Sequence, residues 1–496
     1  MTGGAAATRG GGSGRPPHIV VILSDQLRAD CVGCYGNPII RTPHVDALAA
    51  AGTRFAQAFS QHPQCAPSRA SILTSRYPHV NGSTSNYVAV GDHELTLPEY
   101  LRALGYHTAG TGKLHLSDAK LAAFDELIQS EGQRSGATDP EVLHPHYKAW
   151  LKANGHWQTA VEAFAMHGRP EYLEGFRAAV NPLPEHAYFD GWVGDRTVEL
   201  IRRHPAEQPL FLFMGLPNPH IPFDAPEPYA SMYDPESLPL PPTFGTGLAN
   251  KPPQHLGYKR HGRKEDFEDL DEAALRRVTA LYYGSISLVD AQVGKVMAAL
   301  AERGMLEDTV VAFLSDHGEL LGHFGMLIKS IDEYPMLYDV GLHVPLIIRP
   351  PGGEAGRVVD EPVELVDLAP TLLSCAGLEV PPEMQGTSQR SALFGGEPAR
   401  REYVFAESGP VKMVRGERYK LVHYPGQPYG ELYDLQRDPH EADNRFDDPD
   451  LAPQRERLTR ALLDRLIAAE GPLHGESERG PAYWRRQYRL PFESEA

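Results

Sequence analysis

The chain has 496 residues, of which 41% are hydrophobic and 23% are charged, and its formal net charge at pH 7 is −18. This composition excludes wholesale disorder, and the negative charge argues against non-specific binding to nucleic acid or to an anionic membrane. A chain of this length exceeds what one hydrophobic core supports, so we expect one large domain and a smaller one. The acidity does not exclude an anionic substrate, because a single pocket can be locally positive.

Two further features concern the cellular compartment. No apolar run approaches the ~18 residues that a membrane span needs, and residues 1–17 are rich in Gly and Ala without an apolar segment. We expect residues 1–17 to form a disordered tail. The four cysteines are too few for a disulfide scaffold. Together these features predict a cytoplasmic protein without membrane or nucleic-acid partners.

Short apolar runs rich in β-branched residues indicate strands that are buried on both faces. These runs cover residues 18–24, 208–214, 309–315 and 343–348. Apolar residues at helical spacing lie between them, over residues 190–204 and 271–303. Strands that alternate with helices predict an α/β fold with a large, mostly parallel sheet sandwiched by helices.

The sequence pattern changes after residue 395. Residues 403–405, 411–414 and 419–424 predict short antiparallel strands, and a helix is predicted around 454–469. We therefore predict a catalytic domain over 18–395 and a smaller C-terminal α+β domain with an antiparallel sheet over 396–470. Residues 471–496 form a separate tail, in which Trp484 and Tyr488 lie among arginines. This tail suggests packing on a neighbouring element or a homo-oligomer.

Asp25 and Asp316 directly follow two of the predicted strands. Ligands of parallel sheets bind beyond the carboxyl ends of the strands, so we expect both carboxylates at one rim. Gln26 adjoins the first and His317 the second, which adds an amide oxygen and a ring nitrogen as metal ligands. Capping of the following helix is the alternative role for each aspartate.

The most specific signal is the string Cys65-Ala66-Pro67-Ser68-Arg69. Pro67 and Ser68 suit a helix start, which places Cys65 at a helix N-terminus with Arg69 one turn further on. Both features favour a negative charge on residue 65, whereas a buried structural cysteine is the alternative. The string resembles the signature of the type I sulfatases of the alkaline phosphatase superfamily. In that family the cysteine is oxidised to formylglycine, whose hydrate is the nucleophile.

The resemblance extends over about residues 18–445. The segments that carry it are Asp25-Gln26, Cys34-Tyr35-Gly36, residues 42–48, residues 111–115, residues 219–223, residues 315–319, Lys329, residues 432–435 and Asp438-Pro439. It implies an alkaline phosphatase-like fold and one divalent metal. It further implies that the metal ligands are Asp25, Gln26, Cys65, Asp316 and His317. Ca²⁺ is the expected ion, with Mg²⁺ and Mn²⁺ as alternatives.

The resemblance also implies catalytic roles. Residue 65, as hydrated formylglycine, attacks the ester, while Arg69 and Lys113 hold and polarise it. His115 takes the proton that lets the hemiacetal collapse and release the anion. The groups that bind the ester oxygens and help to protonate the leaving oxygen are His220 and Lys329. Asn86 is a further candidate for substrate binding, although an Asn in a turn is an equally good interpretation.

The predicted function is the hydrolysis of small-molecule sulfate esters, after maturation by a formylglycine-generating enzyme. Many arylsulfatases have Asp-Asp where this chain has Asp25-Gln26, and Asp-Asn where it has Asp316-His317. The replacement of one acidic ligand removes one negative charge from the site and leaves open a phosphonate monoester hydrolase or phosphodiesterase that uses the same site. A catalytically silent relative that only binds an anion is the remaining alternative. The leaving group of the ester is not predicted.

Overall fold

The computed structural model describes residues 15–130, 137–261 and 267–469. The strands are β1 (His18–Asp25), β2 (Thr53–Phe55), β3 (Ala58–Phe59), β4 (His107–Gly112), β5 (Glu126–Gln129), β6 (Leu210–Pro219), β7 (Thr309–Ser315), β8 (His343–Val344), β9 (Leu346–Arg349), β10 (Arg357–Val359), β11 (Val363–Glu364), β12 (Val404–Ser408), β13 (Val411–Arg415), β14 (Tyr419–His423) and β15 (Gly430–Asp434).

The helices are α1 (Pro43–Ala50), α2 (Cys65–Thr74), α3 (Pro78–Asn81), α4 (Leu97–Ala103), α5 (Asp118–Leu121), α6 (Pro145–Ala153), α7 (Trp157–Met166), α8 (Pro170–Glu174), α9 (Phe189–Arg203), α10 (Pro253–His261), α11 (Glu272–Glu302), α12 (Asp339–Leu342), α13 (Leu368–Cys375), α14 (Arg390–Leu393) and α15 (Ala452–Ala469). In the described ranges, no helix combines the length and the apolar character that crossing a membrane requires.

A sheet of eight strands in the order β10-β2-β9-β7-β1-β6-β4-β5 forms the centre of the molecule. Strand β1 is buried along its whole length and runs parallel to both of its neighbours, β6 and β7. Strand β9 is antiparallel to its neighbours β7 and β2. The predicted α/β fold with a mostly parallel sheet is therefore confirmed.

Alternate side chains of β1 enter two different cores, which explains why this strand is apolar on both faces. Val20 and Ile22 pack with α1, α9 and α11 on one face of the sheet. Ile19, Val21 and Leu23 pack with α2, α4 and α13 on the other face. The sheet is thus sandwiched by helices, and helices α9 and α11 match their predicted bounds to within one residue at each end.

The sequence patterns missed or misjudged several strands. The predicted strand 343–348 is split at Pro345 into β8, which belongs to a three-stranded sheet with β3 and β11, and β9. Proline has no N–H to contribute to a continuous ladder. Strand β4 was not predicted, because backbone crowding demands glycine there: a Cβ on Gly112 would lie 2.0 Å from the carbonyl oxygen of Gly215. The segment 118–189 lacks a clean period because β5 and the helices α5 to α8 within it are short.

Strands β12 to β15 form a separate antiparallel meander, as predicted for the C-terminal part of the chain. Helix α15 covers one face, where Leu458 and Leu462 contact Val414, Leu421 and Leu432. The other face packs against the region around β3 and α12. The domain division at residue 396 stays a prediction. The tail predicted over 471–496 and residues 1–14 of the predicted N-terminal tail lie outside the described residues.

A buried carboxylate ties helix α9 to the end of β6. Asp190 accepts hydrogen bonds from the backbone N–H of Asn218, at 3.2 Å, and from its side-chain Nδ2, at 2.7 Å. The carbonyl oxygen of Asn218 in turn accepts a hydrogen bond of 2.7 Å from Ser24 Oγ. These bonds fix the chain between β1, which ends at Asp25, and the segment that carries His220. Burial raises the pKa of Asp190 to about 7.

This raised pKa predicts a pH-dependent stability. Between about pH 4 and pH 7 the folded protein keeps a proton on Asp190 that the unfolded chain releases, so stability falls as the pH rises. Asp190→Asn removes this proton, and we expect its free energy of unfolding to vary by a few kcal/mol less over that window than that of the wild type. Urea denaturation at several pH values measures the difference. Asp195→Asn, a half-exposed neighbour on α9 paired with Lys295, is the matched control, and an unchanged pH slope in Asp190→Asn would contradict the assignment.

Candidate metal and catalytic centre

Two carboxylates meet at the carboxyl end of the central sheet because β1 and β7 are neighbouring parallel strands in register. Ser24 pairs with Ser315, so Asp25 and Asp316 leave the sheet side by side. Arg69 lies between them, with Nη2 at 3.0 Å from Asp25 Oδ2 and Nε at 2.8 Å from Asp316 Oδ2. All three side chains are completely buried, so their charges compensate one another and are not screened by water.

The two aspartates differ in their affinity for a proton. Burial would raise the pKa of Asp25, but the charge of Lys113, whose Nζ lies 2.6 Å from Oδ2, helps to hold it far below its ordinary value. Burial and the negative charge of Asp25 raise the pKa of Asp316. The pair therefore behaves as two close like charges that need positive partners.

Cys65 begins helix α2, as predicted, and lies beside these carboxylates. Its Sγ is 3.4 Å from Asp25 Oδ1 and 3.3 Å from Nε2 of His317. Ser68, one turn further along α2, donates a hydrogen bond of 2.5 Å to the backbone carbonyl of Asp316. The helix start is thus anchored to the end of β7, and the predicted neighbourhood of residue 65 with both aspartates is present in the structure.

Four of the predicted metal ligands form one buried cluster. One ligand atom each from Asp25, Cys65, Asp316 and His317 lies within 4.8 Å of the others. The fifth, Gln26, follows Asp25 in the chain and has a buried Oε1 without a hydrogen-bond partner among the described residues. Burying a carbonyl oxygen without a hydrogen-bond donor costs free energy, unless a cation binds the oxygen in place of the donor. The two carboxylates, the amide oxygen and the imidazole together fit a divalent cation.

Glu319 orients the amide of Gln26, a role that the sequence analysis did not assign. Its carboxylate accepts a hydrogen bond from Gln26 Nε2. It also accepts from the backbone N–H groups of Leu321, at 3.1 Å, and of Ile328. With its nitrogen bound to Glu319, the Gln26 side chain has only its oxygen left to bind a cation. Glu319 stands within the segment 315–319 that carries the family resemblance, which was the available signal.

Two lysines face the Cys65 sulfur from different parts of the chain. Lys329 Nζ lies 2.8 Å from Sγ, and Lys113 Nζ lies 3.8 Å from it. Burial would raise the pKa of the thiol, but the charges of Lys113, Lys329 and His317 hold it well below its ordinary value. Although the whole chain is acidic, this pocket is locally positive and suits an anionic ester.

Both predicted histidines also lie at the Cys65 side chain. A hydrogen bond between His115 and Cys65 contributes to the lowered pKa of the thiol. His115 has a φ of +57°, a left-handed conformation that is strained for a residue with a Cβ. His220 also hydrogen-bonds Cys65, and its Nδ1 lies 2.6 Å from the carbonyl oxygen of Ile221. Burial and the charges of Lys329 and Lys113 lower the pKa of His220 to about 4.

Asn86 supports the nucleophile's backbone. Its Oδ1 accepts a hydrogen bond of 2.9 Å from the N–H of Ala66, in the first turn of α2. Its own N–H donates to Gln64 Oε1 at 3.3 Å. Asn86 therefore has a structural role at the start of α2, and its part in substrate binding stays a prediction.

This arrangement provides what nucleophilic displacement at an anionic ester requires. The sulfur of Cys65 marks the place of the hydroxyl oxygens that a formylglycine hydrate would carry. Cationic groups surround that place, where negative charge develops during attack. The imidazoles of His115 and His220 both lie at the Cys65 side chain, and imidazole groups can transfer protons. The candidate residues thus come from seven separate segments of the chain and gather around the start of α2.

Comparison with known proteins agrees with this geometry. Residues 17–378 match the model of the family described as Sulfatase, and residues 331–468 match N-sulphoglucosamine sulphohydrolase, C-terminal. The chain is 29% identical over 477 residues to an arylsulfatase of Clostridium perfringens, covering 92% of this chain and 95% of the relative. It is 28% identical over 506 residues to the multifunctional alkaline phosphatase superfamily protein PehA of Trinickia caryophylli, covering 92% and 96%.

Solved structures show the same architecture. The phosphonate monoester hydrolase of Agrobacterium radiobacter superposes with a TM-score of 0.77 at 26% identity, covering 91% of this chain and 96% of that one. Its fold and the family match, which spans well over half of the chain, agree with the cluster around Cys65. The chain therefore belongs to the sulfatase family of the alkaline phosphatase superfamily.

Proposed function

We propose that this protein hydrolyses sulfate esters with residue 65, converted to formylglycine, as its nucleophile. The observation that carries the proposal is the position of Cys65 Sγ, 2.8 Å from Lys329 Nζ and 3.3 Å from His317 Nε2, beside two buried carboxylates. Membership of the sulfatase family supports this reaction, and so does the arylsulfatase name of the C. perfringens relative. Maturation by a formylglycine-generating enzyme is part of the proposal.

In the proposed attack, a hydroxyl of the hydrate passes its proton to His220, which hydrogen-bonds the residue 65 side chain, and forms a bond to the sulfur of the ester while the bond to the leaving oxygen breaks. We assign the binding of the ester oxygens to Lys329 and His220, and their contacts with the residue 65 side chain support this assignment. His220 or Lys329 then gives a proton to the leaving oxygen. A bound divalent metal would supply Lewis-acid stabilisation of the developing negative charge.

In the proposed release, His115 takes the proton of the second hydroxyl, the carbon–oxygen bond to sulfate breaks and the aldehyde is restored. Lys113 stands next to both Asp25 and residue 65, so it stabilises negative charge on either. Arg69 contacts the two carboxylates, and we assign it the role of holding them in place for the metal.

The nucleophile assignment predicts the effect of Cys65→Ala. We expect loss of at least ~10³-fold in kcat, since the group that forms the proposed covalent intermediate is removed, with an unchanged far-UV CD spectrum. Cys375→Ala, at the half-buried end of α13, is the control and should keep wild-type rates. Near-normal turnover by Cys65→Ala would contradict the assignment.

Mass spectrometry of the peptide that contains residue 65 separates an enzyme from a silent relative. Formylglycine makes the peptide about 18 Da lighter than cysteine does. An unmodified thiol in protein from a host that has the converting enzyme would instead support a protein that only binds an anion.

We propose that the metal is Ca²⁺, because three of the groups that would hold it, on Asp25, Gln26 and Asp316, offer hard oxygen ligands. The nitrogen of His317 is less usual for Ca²⁺ and makes Mn²⁺ the leading alternative, with Mg²⁺ next. The orphaned Oε1 of Gln26 supports an ion at this place.

The metal proposal predicts that chelation abolishes turnover and that Ca²⁺ restores it. Gln26→Ala should weaken metal binding by about 10- to 100-fold, since it removes one ligand, as measured by titration calorimetry. Gln57→Ala is the matched control, because Gln57 only donates to the backbone oxygen of Asp360. Restoration by Mn²⁺ far above that by Ca²⁺ would contradict the choice of ion.

A second activity, on phosphonate monoesters or phosphodiesters, is favoured by the same ligand set. Gln26 stands where many arylsulfatases have an acidic residue, which removes one negative charge from the site, whereas His317 stands where they have a neutral asparagine. A less negative site tolerates a more highly charged ester. The phosphonate monoester hydrolase fold of the Agrobacterium protein supports this candidate.

This candidate predicts measurable kcat/KM values on a phosphonate monoester and a phosphodiester, beside those on an aryl sulfate. The comparison uses one metal-loaded preparation in which residue 65 is converted. A sulfate preference of many decades would contradict the second activity while leaving the first intact.

We also propose a cytoplasmic location, which the low cysteine content and the free thiols of all four cysteines support. Cell fractionation tests it, and recovery from the medium would contradict it. A homo-oligomer stays a prediction that sedimentation analysis can test.

A further inference from the structure

A tight turn carries an acidic residue to the edge of the pocket. The turn starts two residues after Lys329, and Ile331 and Tyr334 close it with a bridge in which the N–H of Tyr334 donates to the carbonyl of Ile331 at 3.1 Å. Asp332 and Glu333 occupy the two central positions, and both are exposed. The Cα of Asp332 lies at most about 11 Å from that of Lys329.

The turn is held firmly. Ser330 Oγ donates to the carbonyl of Tyr334 at 3.3 Å and accepts from the N–H of Met336 at 2.9 Å. The hydroxyl of Tyr258, from α10, donates to the carbonyl of Lys329 at 3.1 Å. The position of the turn relative to Lys329 is therefore set by the surrounding structure.

Gln64 connects this turn to the nucleophile. Its side chain is almost fully buried, and its Nε2 donates to Asp332 Oδ1 at 2.8 Å. Gln64 directly precedes Cys65, while its Oε1 accepts from the N–H of Asn86. One oxygen of Asp332 is thus bound next to the nucleophile's own segment, and the exposed side chain leaves the other oxygen to a bound molecule.

The charges of the pocket are arranged in two layers. Lys113 and Lys329 contact the buried Cys65, so the charged end of an ester binds inside. Asp332 is exposed, whereas Gln64 and Lys329 are buried, so Asp332 lies nearer to the solvent, and a leaving group directed toward solvent on this side would meet it. A carboxylate there repels an anionic leaving group and accepts hydrogen bonds from a donor-bearing one.

We propose that Asp332 is a specificity-determining residue that selects leaving groups rich in hydrogen-bond donors, such as sugar hydroxyls or an ammonium group. The proposal rests on the sulfate-ester function and names the substrate class for it. Glu333, the adjacent exposed acid, has no bond to Gln64 among the described contacts and is the matched control.

The test compares wild type, Asp332→Asn and Glu333→Gln on glucosamine 6-sulfate, glucose 6-sulfate and 4-nitrophenyl sulfate. In Asp332→Asn we expect the ratio of kcat/KM for glucosamine 6-sulfate over 4-nitrophenyl sulfate to fall about tenfold, because a charged hydrogen bond is lost. The ratio for glucose 6-sulfate should fall less, since its neutral hydroxyl groups lose a weaker hydrogen bond than an ammonium group does. Glu333→Gln should leave both ratios unchanged.

Binding separates failure of this inference from failure of the proposed function. In the Cys65→Ala protein, adding Asp332→Asn should weaken the binding of glucosamine 6-sulfate about tenfold by calorimetry, whether or not any ester is turned over. If the wild type hydrolyses none of the three esters, the proposed function is wrong. If Asp332→Asn changes neither the ratios nor the binding, or matches Glu333→Gln in both, the role of Asp332 is wrong.

Discussion

The bridge from Asp25 through Arg69 to Asp316 is the interaction on which the site depends. Neighbouring parallel strands force the two carboxylates together in a place without water, where they repel each other. Removing one partner from a buried ion pair typically costs about 3–5 kcal/mol, because the remaining charge is left uncompensated. Since Arg69 lies one turn into α2, the helix that compensates these charges is the same helix that begins at the nucleophile.

Positively charged side chains also lie around Cys65, next to the two buried carboxylates. Lys113 and Lys329 approach the sulfur from two sides and lower the pKa of the thiol against the effect of burial. A chain of net charge −18 therefore encloses a site in which two lysines face the nucleophile, beside the buried carboxylates of Asp25 and Asp316. With the lysines inside the site, an anionic group binds there. The residues nearer to the solvent are left to contact the rest of the ligand.

Local sequence patterns predicted the strands and helices that carry the site. They did not predict every residue that takes part in it. Strands β1 and β7 and helix α11 were predictable because each is long, apolar and regular in period. Strand β4 was not, because its glycines serve close backbone packing and carry no apolar signal. The strand predicted over 343–348 failed at Pro345, where a local interruption divides two sheets.

The amino-acid sequence sufficed for the family, for the α/β class and for naming Cys65, Asp25 and Asp316, because these rest on short motifs and on residues that follow strands. Contacts such as Gln64 with Asp332, 268 residues apart, came only from the folded chain. So did the orientation of Gln26 by Glu319. Sequence spacing carries no information about which distant loops meet, since that depends on how two cores pack on the faces of one sheet.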